Sequence, residues 1–159
     1  MNSPRRFLML AAAAFAFVAF PAAAGAATKA STSETALLKE INIVRAAHGL
    51  HVLRFDPTLT RAARAHTSAM SNTGTFAHGA FQTRMVRFGV RGPYIGENLA
   101  WGVGSYGTPH RIVQNWLASP PHRANLLHAG FRRIGLGELR TRFQGADRAH
   151  VVTADFAGV

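Results

Sequence analysis

The chain has 159 residues, enough for one domain and too few for two of ordinary size. It contains no cysteine, which excludes a disulfide scaffold, a Cys-ligated zinc or iron–sulfur site and a thiol nucleophile. Eighteen Lys and Arg oppose seven Asp and Glu for a formal charge of +11, and a hydrophobic fraction of 48% is too high for a disordered chain.

Arg5 and Arg6 precede the apolar run 7–20, followed by Pro21 and the small residues Ala22 to Ala27. A basic start, a short apolar run and a small-residue stretch describe a secretory signal peptide. The expected division is a signal over 1–27, a polar linker over 28–33 and one domain over 34–159. With the signal removed no transmembrane span is expected, and the destination is the medium or the periplasm. Ser31 and Glu34 have capping-box spacing ahead of Leu37, Leu38, Ile41 and Val44, which predicts a helix through Ala47 stopped by Gly49. Val52 to Phe55 reads as extended. Asp56 and Pro57 start a second helix, with Leu59, Ala62, Ala63, His66, Ala69 and Met70 on its buried face and an end between Asn72 and Gly74. His66 there reads as a satisfied core histidine.

A short helix is expected over 81–88 and a loop over 89–93. Thr108 and Pro109 start a third major helix that buries Ile112, Val113, Trp116 and Leu117. Ser119-Pro120-Pro121 breaks it, and a short helix is expected from His122 to Leu127. Ile134, Leu136 and Leu139 read as extended around two glycines, as does the run 150–156. Helices come first and strands late, which points to a layered α+β domain rather than a parallel βαβ array.

The arginines are scattered, with no run longer than two, unlike the clustered footprint of a nucleic-acid binder. No nucleic-acid partner is expected. Anionic envelope polymers or lipid headgroups are candidate partners for so basic a protein. The plainer reading of the arginine content is codon bias.

Three segments join ionisable residues to small, turn-forming neighbours: Phe76-Ala77-His78-Gly79, Gly96-Glu97-Asn98-Leu99-Ala100, and Trp116 to Leu127. Glu97, one of only seven acids, lies beside a glycine and an apolar strip. If buried, it needs an imidazole or an arginine as partner. The spacings among His78, Glu97 and His122 match no local metal motif. Asn98 and Ser119 read as local caps or turn formers.

These segments, with Asn42 to Leu50, Asp56-Pro57, Gly135-Leu136-Gly137 and Thr153-Ala154-Asp155-Phe156, follow an order that resembles the CAP superfamily, or SCP domain. The likeness is greatest to its compact, cysteine-free bacterial branch. The resemblance covers roughly Leu37 to Phe156. It implies a three-layer α-β-α sandwich whose cleft carries two His and two Glu. His78 and His122 match the histidines and Glu97 matches one glutamate. At the place of the second stands Arg111, with His110 beside it, and Arg111 is expected to face the same cleft.

Two functional classes follow. One is a secreted binding module, with His78, Glu97 and His122 holding a small ligand or a weakly bound divalent metal such as zinc, supported by Asn98, Ser119 and Arg111. The other is a metal-assisted hydrolase using the same cleft. A third, weaker reading is an envelope-associated structural protein held by charge. Ser119 lacks the G-x-S-x-G context of a nucleophile and one acid is missing, so no catalytic residue is assigned. The alternative for the three cleft residues is a hydrogen-bonded network tying helices to the sheet.

Overall fold

In the computed structural model, which describes residues 29–159, the first helix opens on Ser31. The expected signal segment lies outside the described residues. Ser31 Oγ accepts a hydrogen bond from the Glu34 amide at 3.1 Å, and Glu34 Oε2 accepts one from the Ser31 amide at 2.7 Å. The capping box is thus closed, and α1 (Thr32–Ala47) takes in Thr32 and Ser33, which composition assigned to the linker. After β1 (Arg54–Phe55), Asp56 Oδ1 accepts from the amides of Thr58 and Leu59 at 2.8 and 2.9 Å and starts α2 (Pro57–Thr73). Gly74 ends it in the left-handed region.

There follow α3 (Phe81–Phe88), β2 (Ile95–Gly102), a 3-10 turn (Gly104–Gly107), α4 (Pro109–Ala118), α5 (Pro120–Leu126), β3 (Phe131–Phe143) and β4 (Ala146–Gly158). The sheet order is β1-β3-β4-β2, with β1 parallel to β3 and the other pairs antiparallel. A two-residue turn joins β3 to β4. Gln144 and Gly145 both have positive φ there, the turn geometry whose twist suits a hairpin.

The sheet separates two helical layers, giving the three-layer α-β-α sandwich. On one face, Ile134 and Leu136 of β3 and Val152, Ala154 and Phe156 of β4 pack against Leu37 and Ile41 of α1 and Ile112, Val113 and Trp116 of α4. The alternate residues face α2. A methyl group at Gly135 would stand 2.0 Å from the Leu59 carbonyl carbon, so α2 lies almost on the backbone of β3.

Three details differ from the sequence reading. Gly96 to Ala100 is a strand, β2, although glycine, glutamate and asparagine have poor strand propensity. It is held by its ladder with β4 and by side chains of α4 and α5 on its outer edge. The short helix begins at Pro120 rather than His122, because a first turn needs no amide donors from its prolines. Ala69 is exposed, and Thr67 takes a buried place on α2 instead, its hydroxyl donating to Gly137 O at 3.1 Å.

Two polar residues of α1 brace the loops. Asn42 exchanges two hydrogen bonds with the backbone of Leu53, at 2.8 and 3.0 Å. Arg45, fully buried, donates to the carbonyls of His51, Leu126, His128 and Phe131.

Candidate functional site

Antiparallel pairing sets Glu97 of β2 directly opposite Asp155 of β4. Paired residues share a face of the sheet, and this pair faces α2 and α3. The Glu97 carboxylate is almost wholly buried, and four groups surround it. His78, on the loop between α2 and α3, places Nδ1 2.8 Å from Oε1. Arg84 of α3 donates from Nη2 to Oε2 and from Nη1 to the His78 carbonyl, the latter at 3.3 Å. His66 of α2 stands with Nε2 3.8 Å from Oε2 while bonding the Ala77 carbonyl at 3.0 Å. Asp155 closes the group, 4.0 Å from Arg84.

Asp155 is fully buried. Burial first, and the facing Glu97 charge second, push its carboxyl up to about 8 against the smaller opposing pull of Arg84. Two ionised carboxylates cannot share so small a space, so near neutrality Asp155 keeps its proton.

Successive residues of a strand point to opposite faces, and Asn98 accordingly faces α5. Fully buried, it donates to the His122 carbonyl at 3.0 Å and accepts from Asn125 Nδ2 at 2.9 Å. It is a bolt between layers and not the turn former that its residue type suggested. Ser119, the first residue before α5, places Oγ 2.9 Å from His122 Nδ1. Burial, and then the nearby His78, lower the His122 pKa below the ordinary imidazole range.

His78 and His122 therefore belong to opposite layers, near enough for the His78 charge to act on His122. His78 contacts Glu97 directly. His122 is linked to the same strand through Asn98 and makes no bond to Glu97. Arg111, expected to face the cleft, is instead exposed, with its guanidinium 5.3 Å from the centre of the Tyr106 ring. The cation that reaches Glu97 is Arg84. Among the described residues no three His, Asp or Glu side chains are grouped to surround one ion.

Sequence reasoning missed Arg84 and Asp155 as members of this cluster. Each carried a signal. Arg84 lies on the apolar stripe of α3 with Phe81, Met85 and Phe88, where a surface arginine does not belong. Asp155 interrupts a largely buried run from Ala149 to Ala157.

Residues 38–156 match the cysteine-rich secretory protein family, CAP. The chain belongs to that family. The CAP domain is 34% identical over 119 residues to the uncharacterized protein YkwD of Bacillus subtilis, covering 69% of this chain and 45% of that one. It is 30% identical over 112 residues to the uncharacterized membrane protein YlbC of the same organism, covering 67% of this chain and 32% of the other. The chain thus spans less than half the length of these relatives. Among solved structures, an extracellular SCP-domain protein from Bacillus anthracis superposes with a TM-score of 0.66 at 27% identity, over 79% of this chain and 40% of that one. An outer surface protein from Borrelia burgdorferi superposes at 0.68 and 25% identity, over 78% of this chain and 90% of its own. None of the described helices is long and apolar enough to cross a membrane.

Proposed function

We propose that this CAP protein is an extracellular binding module whose ligand-contacting atoms are the Nε2 atoms of His78 and His122. One observation carries the reading: both rings have Nδ1 engaged by the chain, His78 by Glu97 and His122 by Ser119. A partner on one ring nitrogen orients the ring and leaves the other nitrogen for a ligand. Glu97 is then an orienting group. Its carboxylate is committed to Arg84 and His78, which disfavours the hydrolytic reading that would use it as a base. A divalent ion such as zinc would take two imidazoles from the protein and its other ligands from water or from a bound partner, a weak site. Export through the segment 1–27, to the medium or the periplasm, belongs to the same proposal.

Thermal melting with Zn²⁺ at pH 7 and pH 5 tests it. Zinc is expected to raise the melting temperature at pH 7, because binding to the folded state alone stabilises it. The effect should fade at pH 5, where imidazole is protonated and does not ligate. His78→Ala and His122→Ala should each abolish the response. A zinc response retained in both variants would sink the assignment of these two rings, and no response in the wild type would sink the metal form of it. N-terminal sequencing of the exported protein should find a start between Gly25 and Lys29.

A further inference from the structure

The far edge of the sheet, at β1, carries a second polar feature. A hollow of about 350 Å³ is lined by His51, Val52, Arg54, Arg132 and Arg133, together with Val159. Arg54 and Arg133 are partners in the β1–β3 register and so lie side by side. Arg133 is held by Asp56 Oδ2 at 2.9 Å and by the Gly158 carbonyl at 2.8 Å. Arg132 is anchored on the carbonyls of Ala129 and Phe131. Arg54 is exposed and makes no hydrogen bond or ion pair among the described residues.

The charge beneath the hollow is also unbalanced. Arg45 donates to the carbonyl of His51 and to three other carbonyls, and among the described residues no carboxylate pairs with it. Arg132 is close enough to Arg45 to add to the burial that lowers its pKa. Asp56, the acid that bonds Arg133, already caps α2. Three surface guanidiniums and a buried one thus face a single committed carboxylate.

We infer that this hollow is an anion site for phosphate groups repeated along a linear polymer. Guanidinium groups match phosphate oxygens in geometry as well as charge. The cations come from two separate segments and line the sheet edge instead of converging on one point, which suits a chain of anions. A bilayer surface fits less well, since interfacial binding inserts large apolar anchors, and the exposed hydrophobic side chains lining the hollow are two valines, Val52 and Val159, with no aromatic or leucine beside them. The site is independent of the histidine cleft.

Isothermal titration of the purified protein with linear inorganic polyphosphate tests the inference. Arg54→Glu and Arg132→Gln are expected to weaken binding by about tenfold or more, a factor measurable as a change of about 1.4 kcal/mol per decade. Arg140→Glu, an equal charge change to Arg54→Glu at an exposed position elsewhere on β3, should weaken it less than about twofold, because exposed charges beyond a Debye length of about 8 Å are screened. His122→Ala should leave it unchanged. Circular dichroism verifies folding, and Arg54→Gln serves if the Glu variant does not fold. Absence of polyphosphate binding, or equal weakening by Arg140→Glu, would overturn the site. Preference for phosphatidylglycerol vesicles over polyphosphate at equal phosphate concentration would overturn the polymer in favour of a membrane.

Discussion

Glu97 is bonded by a guanidinium and an imidazole at once because a buried carboxylate without partners is costly. Arg84→Met would leave that carboxylate facing Asp155 in the interface between sheet and α3. We expect a loss of about 3–5 kcal/mol in urea denaturation, the range found when one partner of a buried pair is removed. Adding Glu97→Gln to Arg84→Met should recover part of the loss, since the stranded charge goes with it; additive losses would refute the pairing. His78→Ala removes a half-exposed partner and should cost much less, because water replaces the imidazole. The cluster also shows why His66, read from its helical position as a satisfied core histidine, is that and more. Its Nε2 has a carbonyl partner, and the same ring walls the carboxylate.

At the level of elements, the closest approach in the fold is α2 on β3. Gly135 and Gly137 alternate with Ile134 and Leu136, so one face of β3 is bare backbone and the other is apolar core. Gly135→Ala would force a methyl into the Leu59 carbonyl, where neither strand nor helix can yield without moving the other. The expected cost is about 3 kcal/mol or more, at or above the upper end for overpacking, read as a lowered midpoint of chemical unfolding. A near-neutral result would mean that α2 rides further from the sheet. The edge strand β2 is protected differently. Its outward carbonyls at Glu97 and Leu99 accept from Asn125 Nδ2 and from Trp116 Nε1, at 3.0 and 2.8 Å. Trp116→Phe keeps the packing but leaves the Leu99 carbonyl unsatisfied, and should cost about 1–3 kcal/mol. This bonding also explains why a segment of weak strand formers is a strand: the pairing energy comes from α4, α5 and β4, none of which is local in sequence.

For the whole molecule, the buried titratable groups pull stability in opposite directions as pH changes. Burial holds the His66 and His122 pKa values below the ordinary value of 6.5. The unfolded chain therefore binds protons first as pH falls through 6.5, and acid destabilises the fold. Asp56, lowered from 3.8 by Leu59, Arg133 and Thr58 against the larger single opposing effect of burial, adds to that loss further down. Asp155 acts in the opposite direction. Its folded pKa is raised from 3.8 to about 8, so between those values the folded state holds a proton that the unfolded state has lost, and stability declines as pH rises. Above 6.5 the histidine contribution is complete and the Asp155 decline stands alone. Melting temperatures across roughly pH 5–9 should fall on the alkaline side of that range, and Asp155→Asn should flatten this fall.

Local signals and motifs within the chain were enough to place the starts of α1 to α4, the late extended segments, the CAP family and His78, Glu97 and His122 as candidate cleft residues. Those features depend on interactions a few residues long, such as the Ser31–Glu34 box, the Asp56 cap and prolines in first turns, or on motifs read whole. Which groups meet was settled by packing and strand pairing between distant segments. Whether Glu97 or Asn98 faces α3 depends on the β2–β4 register, and a slip of one residue would exchange them between layers. The same register brings Asp155 to Glu97, and the packing of α3 on α2 brings Arg84. Arg54 and Arg133, far apart in sequence, become neighbours through a two-residue parallel strand pairing. A scattered set of arginines thereby becomes a patch, because sheet pairing ignores the sequence separation that composition and spacing can read.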